Sequence, residues 1–314
     1  MTRLLFITCC DNGFFCLRRL VAAGHEIAAV VTIPPEVGAR NMVSGYVDVA
    51  PWCVEQGIKV VSLDTYTLTK TAVDHLDFDM VVVNGWNRLI PGDIIAAAPL
   101  GGVGLHAGHP PIGLGRAPLV WNILLGHSDL EVYAFALTPN ADDGDILALQ
   151  TVEITPQDSV QTLYEKVMAA GAALIAGAID KRITGQPGLK QSLEFARHYG
   201  KRTPADGLID FSQPVDALYN FIRAQSAPYP GAFTYLDGQK WVIQKAIPYD
   251  RFSFRNHPRV PGKIVEALPS GLVVMTATSP LWIIDAESEG ALMGSGSNMD
   301  HLIGRCFGPQ TGTE

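Results

Sequence analysis

The sequence predicts an α/β protein: a parallel sheet covered on both faces, followed by a smaller β-rich unit. Three observations carry that reading. Short, wholly apolar runs rich in Val and Ile recur at helix-length spacing through the first half, as strands do when both sheet faces are buried. Past residue 200 the runs come closer together and turn residues separate them. The 314 residues are about two domains' worth, and 47% hydrophobic against 17% charged excludes a disordered chain.

In chain order, Leu4–Thr8 is the first strand, polar Cys9–Gly13 follows, and Leu17, Leu20 and Val21 mark a helix. Ile27–Ile33, Ile58–Leu63 and Met80–Val83 are the next strands, each short and bounded by helix-length connections. Pro118–Leu125 reads as a helix, Val132–Leu137 as a strand, Pro139–Asp145 as a polar loop, and residues 157–181 as one long helix. The texture then changes. Lys190–Pro204 is more polar, Lys201–Pro204 reads as a linker, and Pro214–Ala224 is an amphipathic helix. Phe233–Leu236 and Trp241–Ala246 form a hairpin, because Asp237-Gly238 supplies the positive φ of a tight turn. The neighbourhood of Ile264–Leu268, with Leu272–Ala277 and Leu281–Asp285, completes the β-rich unit, and the tail from Gly304 is expected to be loosely ordered.

Composition narrows the function. Lys and Arg number 23 against 31 Asp and Glu, a net charge of -8 that argues against a protein built mainly to hold nucleic acid. Five cysteines without CxxC spacing argue against a disulfide scaffold or a four-cysteine zinc site. Leu4–Ile7 is too short for the apolar part of a leader, and the nearly uncharged run Val167–Ile179 falls short of the ~20 residues of a membrane span. A soluble, cytoplasmic protein is expected, with no membrane partner.

Chemistry concentrates in three places. Gly101–Pro118 packs Gly, Pro and His together near the carboxyl end of a buried strand, where open α/β sheets bind ligands. His106 is its natural proton carrier, since imidazole titrates near neutrality, although a loop histidine bonded to backbone would look the same. His106 and His109 could pair on a metal, but no further His, Cys or Glu stands at a helpful spacing, so no metal is expected. Asn140–Asp145 holds three carboxylates in four positions, either a solvated turn or one carboxylate turned inward to hold an imidazole and stabilise its protonated form. Asn84–Ile90 sets polar and aromatic residues at the end of the strand Met80–Val83, where they would line a cleft. No GxGxxG follows the first strand, which leaves a dinucleotide fold little support.

In this order the three clusters resemble the folate-dependent formyltransferase family, whose members act on methionyl-tRNA, glycinamide ribonucleotide or nucleotide-linked amino sugars. Leu105-His106, then Gly115-Arg116-Ala117-Pro118 with Trp121, then Ala141-Asp142-Asp143-Gly144-Asp145 carry the likeness. Lys201–Pro204, Leu208–Phe211 and Ala227–Phe233 extend it to the C-terminal part, closest in pattern to the amino-sugar enzymes. The resemblance implies a Rossmann-like N-terminal catalytic domain over 1–200 and a smaller OB-like, open-barrel β-rich domain over 201–314. It implies transfer of a formyl group from N10-formyltetrahydrofolate, a co-substrate, to an amine, with no metal. His106 and Asp142 would be catalytic. Trp86, Arg88, Leu89, Ile90, Pro139, Asn140 and Ala141 are the positional choice for the folate pocket, and Tyr46 and Arg116 for the acceptor.

Two places depart from the family: Gly104, and Gly108-His109-Pro110-Pro111-Ile112 where the family has Ser-Leu-Leu-Pro-Lys. Gly104 stands where the family has an Asn that donates to the formyl oxygen, two residues before His106. Asn84, Asn87 and His109 are candidate replacement donors; otherwise the chain is a catalytically impaired folate- or nucleotide-sugar-binding homologue. The stretch Thr32–Val49 carries one basic residue, Arg40, against Glu36 and Asp48, too few for tRNA. A small amine is therefore expected, most of all a nucleotide-linked 4-amino sugar, with a hydroxyornithine-type siderophore precursor and methionyl-tRNA as alternatives. The resemblance also allows a homodimer.

Overall fold

The computed structural model describes residues 1–110, 112–192, 194, 196–249, 252, 254–288, 291–292 and 299–309. They form two compact units. One holds Met1–Pro118, Asp129–Glu153 and Glu165–Tyr199; the other holds Leu119–Ser128, Ile154–Tyr164 and the described residues from Gly200 on.

The first unit is built on β1 (Arg3–Ile7), α1 (Asp11–Ala22), β2 (Glu26–Thr32), α2 (Pro35–Arg40), α3 (Ala50–Glu55), β3 (Val60–Ser62), β4 (Met80–Val83), α4 (Gly92–Ala97) and β5 (Gly102–Gly108). Then come β6 (Ile112–Gly115), α5 (Pro118–Leu124), which belongs to the other unit from Leu119 on, β7 (Asp129–Ala136), β8 (Ile146–Glu153), α6 (Val160–Ile183), which belongs to this unit from Glu165 on, and β9 (Arg197–Tyr199). Seven strands form one sheet in the order β3-β2-β1-β4-β5-β7-β8. The first five run parallel, and β7 and β8 are antiparallel additions, so the parallel sheet expected from the apolar runs is a mixed one.

Alternation explains why these strands read as continuous apolar runs. Leu4 and Phe6 of β1 pack with Met80 and Val82 of β4 and with Cys16, Leu17 and Leu20 of α1. Leu5, Ile7 and Val81 belong to a second core on the opposite face, with Val37 of α2 and Ile94 of α4. Each strand thus buries both sides. Helix α6 is two residues longer at its C-terminal end than the pattern suggested, and by length and composition alone it could cross a membrane. Here Ile175, Ala178 and Ile179 are fully buried in the same core as Leu4 and Phe6, which is what a sheet-covering helix does.

Two other expectations are corrected, and two further strands are added. Residues 102–108 are strand, not loop, and residues 146–153 form a strand that the apolar pattern did not mark. The polar stretch ahead of the linker expected at Lys201–Pro204 contains β9, which pairs with β6. The tail is ordered as far as residue 309: Phe307 is buried, and Cys306 and Gly308 bridge to Lys263 and Tyr235. Residues 310–314 lie outside the described residues, as does Pro111.

The second unit has α7 (Val215–Arg223), β10 (Ala232–Leu236), β11 (Gln239–Pro248), β12 (Ile264–Leu268), β13 (Gly271–Val274), β14 (Leu281–Ser288) and β15 (Ala291–Leu292). The antiparallel path is β10-β11-β14-β13-β12, with β15 beside β14. Asp237 and Gly238 take φ of 50 and 82, the double positive φ of a tight hairpin turn. Val215, Leu218 and Ile222 of α7 share one core with Ile243, Ile264 and Ile283 of the strands.

A polar clamp fixes the start of the central strands. The Arg3 guanidinium and backbone N–H donate to both Asp79 carboxylate oxygens, at 2.8–3.2 Å, just ahead of β4. These bonds hold the Asp79 carboxyl down to about 2. A carboxyl depressed in the folded state stabilises the fold above the unfolded value near 4, and that contribution disappears as the pH falls through the folded value. Asp79→Asn is therefore expected to be less stable than wild type near neutrality, with the difference shrinking between about pH 5 and pH 2. Urea denaturation across that range measures it; a pH-independent difference would refute the clamp.

Candidate active site

Strand β5 is unusual on one face. Gly102, Gly104, His106 and Gly108 alternate to the same side, so His106 is the one side chain that this face carries. The neighbouring strand fills the space. In the antiparallel register Gly104 lies opposite Phe135 and His106 opposite Tyr133. A Cβ at Gly104 would lie 2.7 Å from Phe135 Cζ and 3.0 Å from Leu137 Cδ2, and one at Gly102 would lie 2.6 Å from Leu137 Cδ1. The glycines are there because β7 side chains lie across the strand.

The chain then returns over this face. After β7 the segment Pro139–Asp145 turns sharply, and Gly144 comes so close to Ala136 that a Cβ would sit 1.7 Å from its carbonyl oxygen. Only glycine permits that approach. Asp142 takes φ 55, a left-handed conformation that Asp tolerates better than most residues. Asn140 Nδ2 donates to Asp143 at 2.9 Å, and Thr138 also donates to Asp143. Gln191 Nε2 donates to the Asp142 and Gly144 carbonyls at 2.9 and 2.6 Å. Asp143 is thus the carboxylate that ties the loop together, which leaves the Asp142 side chain to face inward.

It faces His106. Asp142 Oδ2 lies 3.6 Å from His106 Nδ1, with the side chains only 21% and 11% exposed. On the other side of the ring, Nε2 lies 3.4 Å from the Gly113 carbonyl of β6. The Tyr133 ring packs edge-on against the imidazole at 5.7 Å. A covered imidazole beside a covered carboxylate can accept a proton from a bound group and hold it. The 3.6 Å spacing exceeds a hydrogen bond, as such pairs often do before substrate binds.

The other sequence-chosen residues fall into separate groups. Trp86 and Tyr66 meet edge-to-face at 4.7 Å, the Arg88 guanidinium lies 5.2 Å over the Tyr66 ring, and the Tyr66 hydroxyl accepts from the Asn87 backbone at 3.0 Å. Ile90 is buried, Leu89 is 61% exposed, and Pro139 packs near Gly92. Trp86 Nε1–H is buried with no acceptor among the described residues. Tyr46 donates to the Ile33 carbonyl at 3.0 Å and lays its ring against Gly38; burial pushes its phenol up to about 12. Arg116 is exposed on the segment after β6.

Two of the proposed donors are committed elsewhere. Asn84 Nδ2 donates to the Asn12 carbonyl and to Cys16 Sγ, both at 3.1 Å. His109 Nδ1 sits 2.8 Å from Glu131 Oε2. Asn87 has an exposed side chain. The sequence spacing gave His109 no metal partners, but β7 brings Asp129 and Glu131 beside it, the three ligand atoms within 4.8 Å of one another. Sequence reasoning also missed Tyr133 and Phe135; the signal was the run of aromatics in Val132–Leu137, read only as strand. All five cysteines are free thiols, four of them buried.

The family model described as "Formyl transferase" matches residues 14–179, and "Formyl transferase, C-terminal domain" matches 201–299. Among solved structures, HypX from Aquifex aeolicus in complex with tetrahydrofolic acid superposes at a TM-score of 0.63 and 17% identity, over 91% of this chain. The chain spans only 44% of the length of that protein. An N-formyltransferase from Helicobacter canadensis, complexed with folinic acid and dTDP-3-aminofucose, gives 0.65 at 15% identity over 90% of this chain and 99% of that one. Methionyl-tRNA formyltransferase from Clostridium thermocellum gives 0.55 at 17% identity, over 78% and 93%.

The filled space at position 104 sets an expectation for the family Asn. Gly104→Asn must displace the buried Phe135 ring, and overpacking of that kind costs about 1–3 kcal/mol. A lowered urea midpoint is expected, and the double variant with Phe135→Leu should recover part of it. Unchanged stability in Gly104→Asn would mean that the pocket has room for the amide.

Proposed function

We propose, from the premise that this chain belongs to the formyl transferase family, that it moves a formyl group from N10-formyltetrahydrofolate to the amine of a small acceptor. The observation that carries the reading is the approach of His106, on β5, to Asp142, on a loop more than thirty residues later, under a common cover. Segments so distant in sequence have no packing need to bring an imidazole and a carboxylate together on a face otherwise kept bare by glycine.

The chemistry needs little more. The acceptor amine attacks the formyl carbon; the new C–N bond forms as the carbonyl π pair moves to oxygen. Collapse of that species breaks the bond from carbon to N10. His106 takes the proton lost by the attacking nitrogen, and a proton returns to N10, leaving formamide and tetrahydrofolate. Asp142 stabilises the imidazolium while it exists. Nε2 is the atom that meets substrate, so the Gly113 carbonyl must yield to the incoming amine. Holding both substrates beside one base supplies much of the rate by proximity.

The residues fit a folate. The buried Nε1–H of Trp86 needs an acceptor, and a pterin ring carries several. Tyr66, Trp86 and the stacked Arg88 give an aromatic wall beside it. For the acceptor, a nucleotide-linked amino sugar is favoured over tRNA. Arg40, the one basic residue of Thr32–Val49, donates to the Asp64 carbonyl at 3.2 Å, so the segment has no basic run to follow a phosphate backbone. The aminofucose complex of the Helicobacter canadensis enzyme supports the same choice.

Radiolabelled or mass-detected formyl transfer from N10-formyltetrahydrofolate to a panel of nucleotide-linked amino sugars tests the reading. Wild type is expected to turn over at least one of them. His106→Ala should lower kcat by about 10²–10⁴. Asp142→Asn, which keeps a side chain that tolerates the positive φ, should also lower it. Full activity in both variants would overturn the assignment. Thermal shift with UDP, GDP, TDP, CDP and folates identifies the ligands: a ligand at 100 times its Kd adds about 2.7 kcal/mol to the native state. A shift by folate and by no nucleotide would remove the nucleotide-sugar acceptor.

A further inference from the structure

The family's formyl-oxygen donor is absent, and the structure closes its place: Phe135 and Leu137 occupy the volume that a side chain at Gly104 would need. A developing oxyanion still needs a donor held ready for it. The amide hydrogens of Asn84 go to Asn12 and Cys16, and His109 faces Glu131.

The Asn87 side chain is exposed, whereas Tyr133 is buried beside the imidazole. It lies directly across the β5–β7 ladder from His106, two residues from the Gly104–Phe135 pair on the same face. Its ring touches the imidazole edge-on at 5.7 Å and leans on Phe135 at 6.0 Å, so two rings hold it in place. The residue is fully buried, and its hydroxyl has no hydrogen-bond partner among the described residues. A buried hydroxyl left without a partner weakens the fold, which a folded chain tolerates where a ligand supplies the missing contact. The neighbouring His106 and Asp142 side chains are also largely covered, at 11% and 21% exposure. Burial, with the nearby charges of Asp142 and Glu131, keeps the phenol protonated and hence a donor.

We propose that Tyr133 is the oxyanion donor of this site, its O–H bonding the formyl oxygen as the acceptor nitrogen adds to the formyl carbon. This rests on the formyl-transfer reading above. No proton leaves the phenol: the π pair of the carbonyl moves to oxygen, the O–H···O bond shortens, and the bond relaxes when the link to N10 breaks. The donor has crossed from one strand to its neighbour.

Tyr133→Phe tests it, because the ring and its packing stay and only the hydroxyl goes. Kinetics are expected to show kcat lowered about 10²-fold or more with KM for the formyl donor changed little. Thermal stability should be equal or higher, since an unpartnered buried hydroxyl has been removed. A purely structural role predicts the reverse, a fall in stability with kcat kept within threefold, and would overturn the proposal. A second readout needs no turnover. The carbonyl stretch of 13C-formyl-labelled 10-formyl-5,8-dideazafolate bound to wild type should lie lower in frequency than when bound to Tyr133→Phe. Equal stretches in the two proteins would refute Tyr133 alone. Failure of the analogue to bind wild type would overturn the formyl-transfer reading, and the oxyanion role with it.

Discussion

The antiparallel pairing of β5 with β7 is the constraint on which the site depends. One strand offers a face of glycines broken by a single histidine; the other lays Tyr133, Phe135 and Leu137 across it. The same pairing ends β7 where its continuation must turn back over the sheet, which brings Asp142 to His106. That return closes because Gly144 can lie against the Ala136 carbonyl, while Asp143 and Gln191 tie up the loop's polar groups. The His106–Asp142 pair is therefore a product of strand register and of one close backbone approach. Neither residue would meet the other through local sequence.

What could be read in advance follows from which interactions are local. The apolar strands β1, β2 and β4 were legible because they bury both faces, and the Asp237-Gly238 hairpin because its turn demands positive φ from two adjacent residues. Strand β5 was not legible, because glycine has no intrinsic preference for a strand. Gly102 and Gly104 are strand residues here only because Leu137 and Phe135 supply the missing side chains from the next strand. His106 and Asp142 could be named from their motif, but the fate of Asn84 and His109 could not. Both were chosen for chemistry that the fold had already committed to partners far away in sequence, Cys16 and Asn12 in one case and Glu131 in the other.

Charge placement sharpens the question of the acceptor in the same way. A net charge of -8 says little by itself, since a local basic patch survives any global count. Position decides more. Arg40 is turned to a backbone carbonyl, Arg88 lies on an aromatic ring, and Arg3 is held by Asp79 at the opposite end of the strands. Arg116, by contrast, is exposed on the segment after β6. One or two basic contacts suit a diphosphate carrier and not a polynucleotide, whose binding scales with the number of phosphates neutralised.

The glycine at position 104 then reads as half of an exchange across the ladder. A side chain on the His strand and a large ring opposite it cannot share one register pair, since a Cβ at 104 already lies 2.7 Å from the Phe135 ring. If Phe135 alone had replaced the donor, the site would have gained packing and lost its means of stabilising negative charge. The partner change is two residues away on the same face of the same strand. Tyr133 brings a hydroxyl that the fold buries and leaves without an acceptor, beside the imidazole and among carboxylates that keep its proton in place. A protein under selection only for packing would place Phe at a fully buried, unpartnered position, because the hydroxyl there weakens the fold. Its retention at that point, on the face where a side chain at position 104 has no room, is the observation on which the proposed oxyanion role rests.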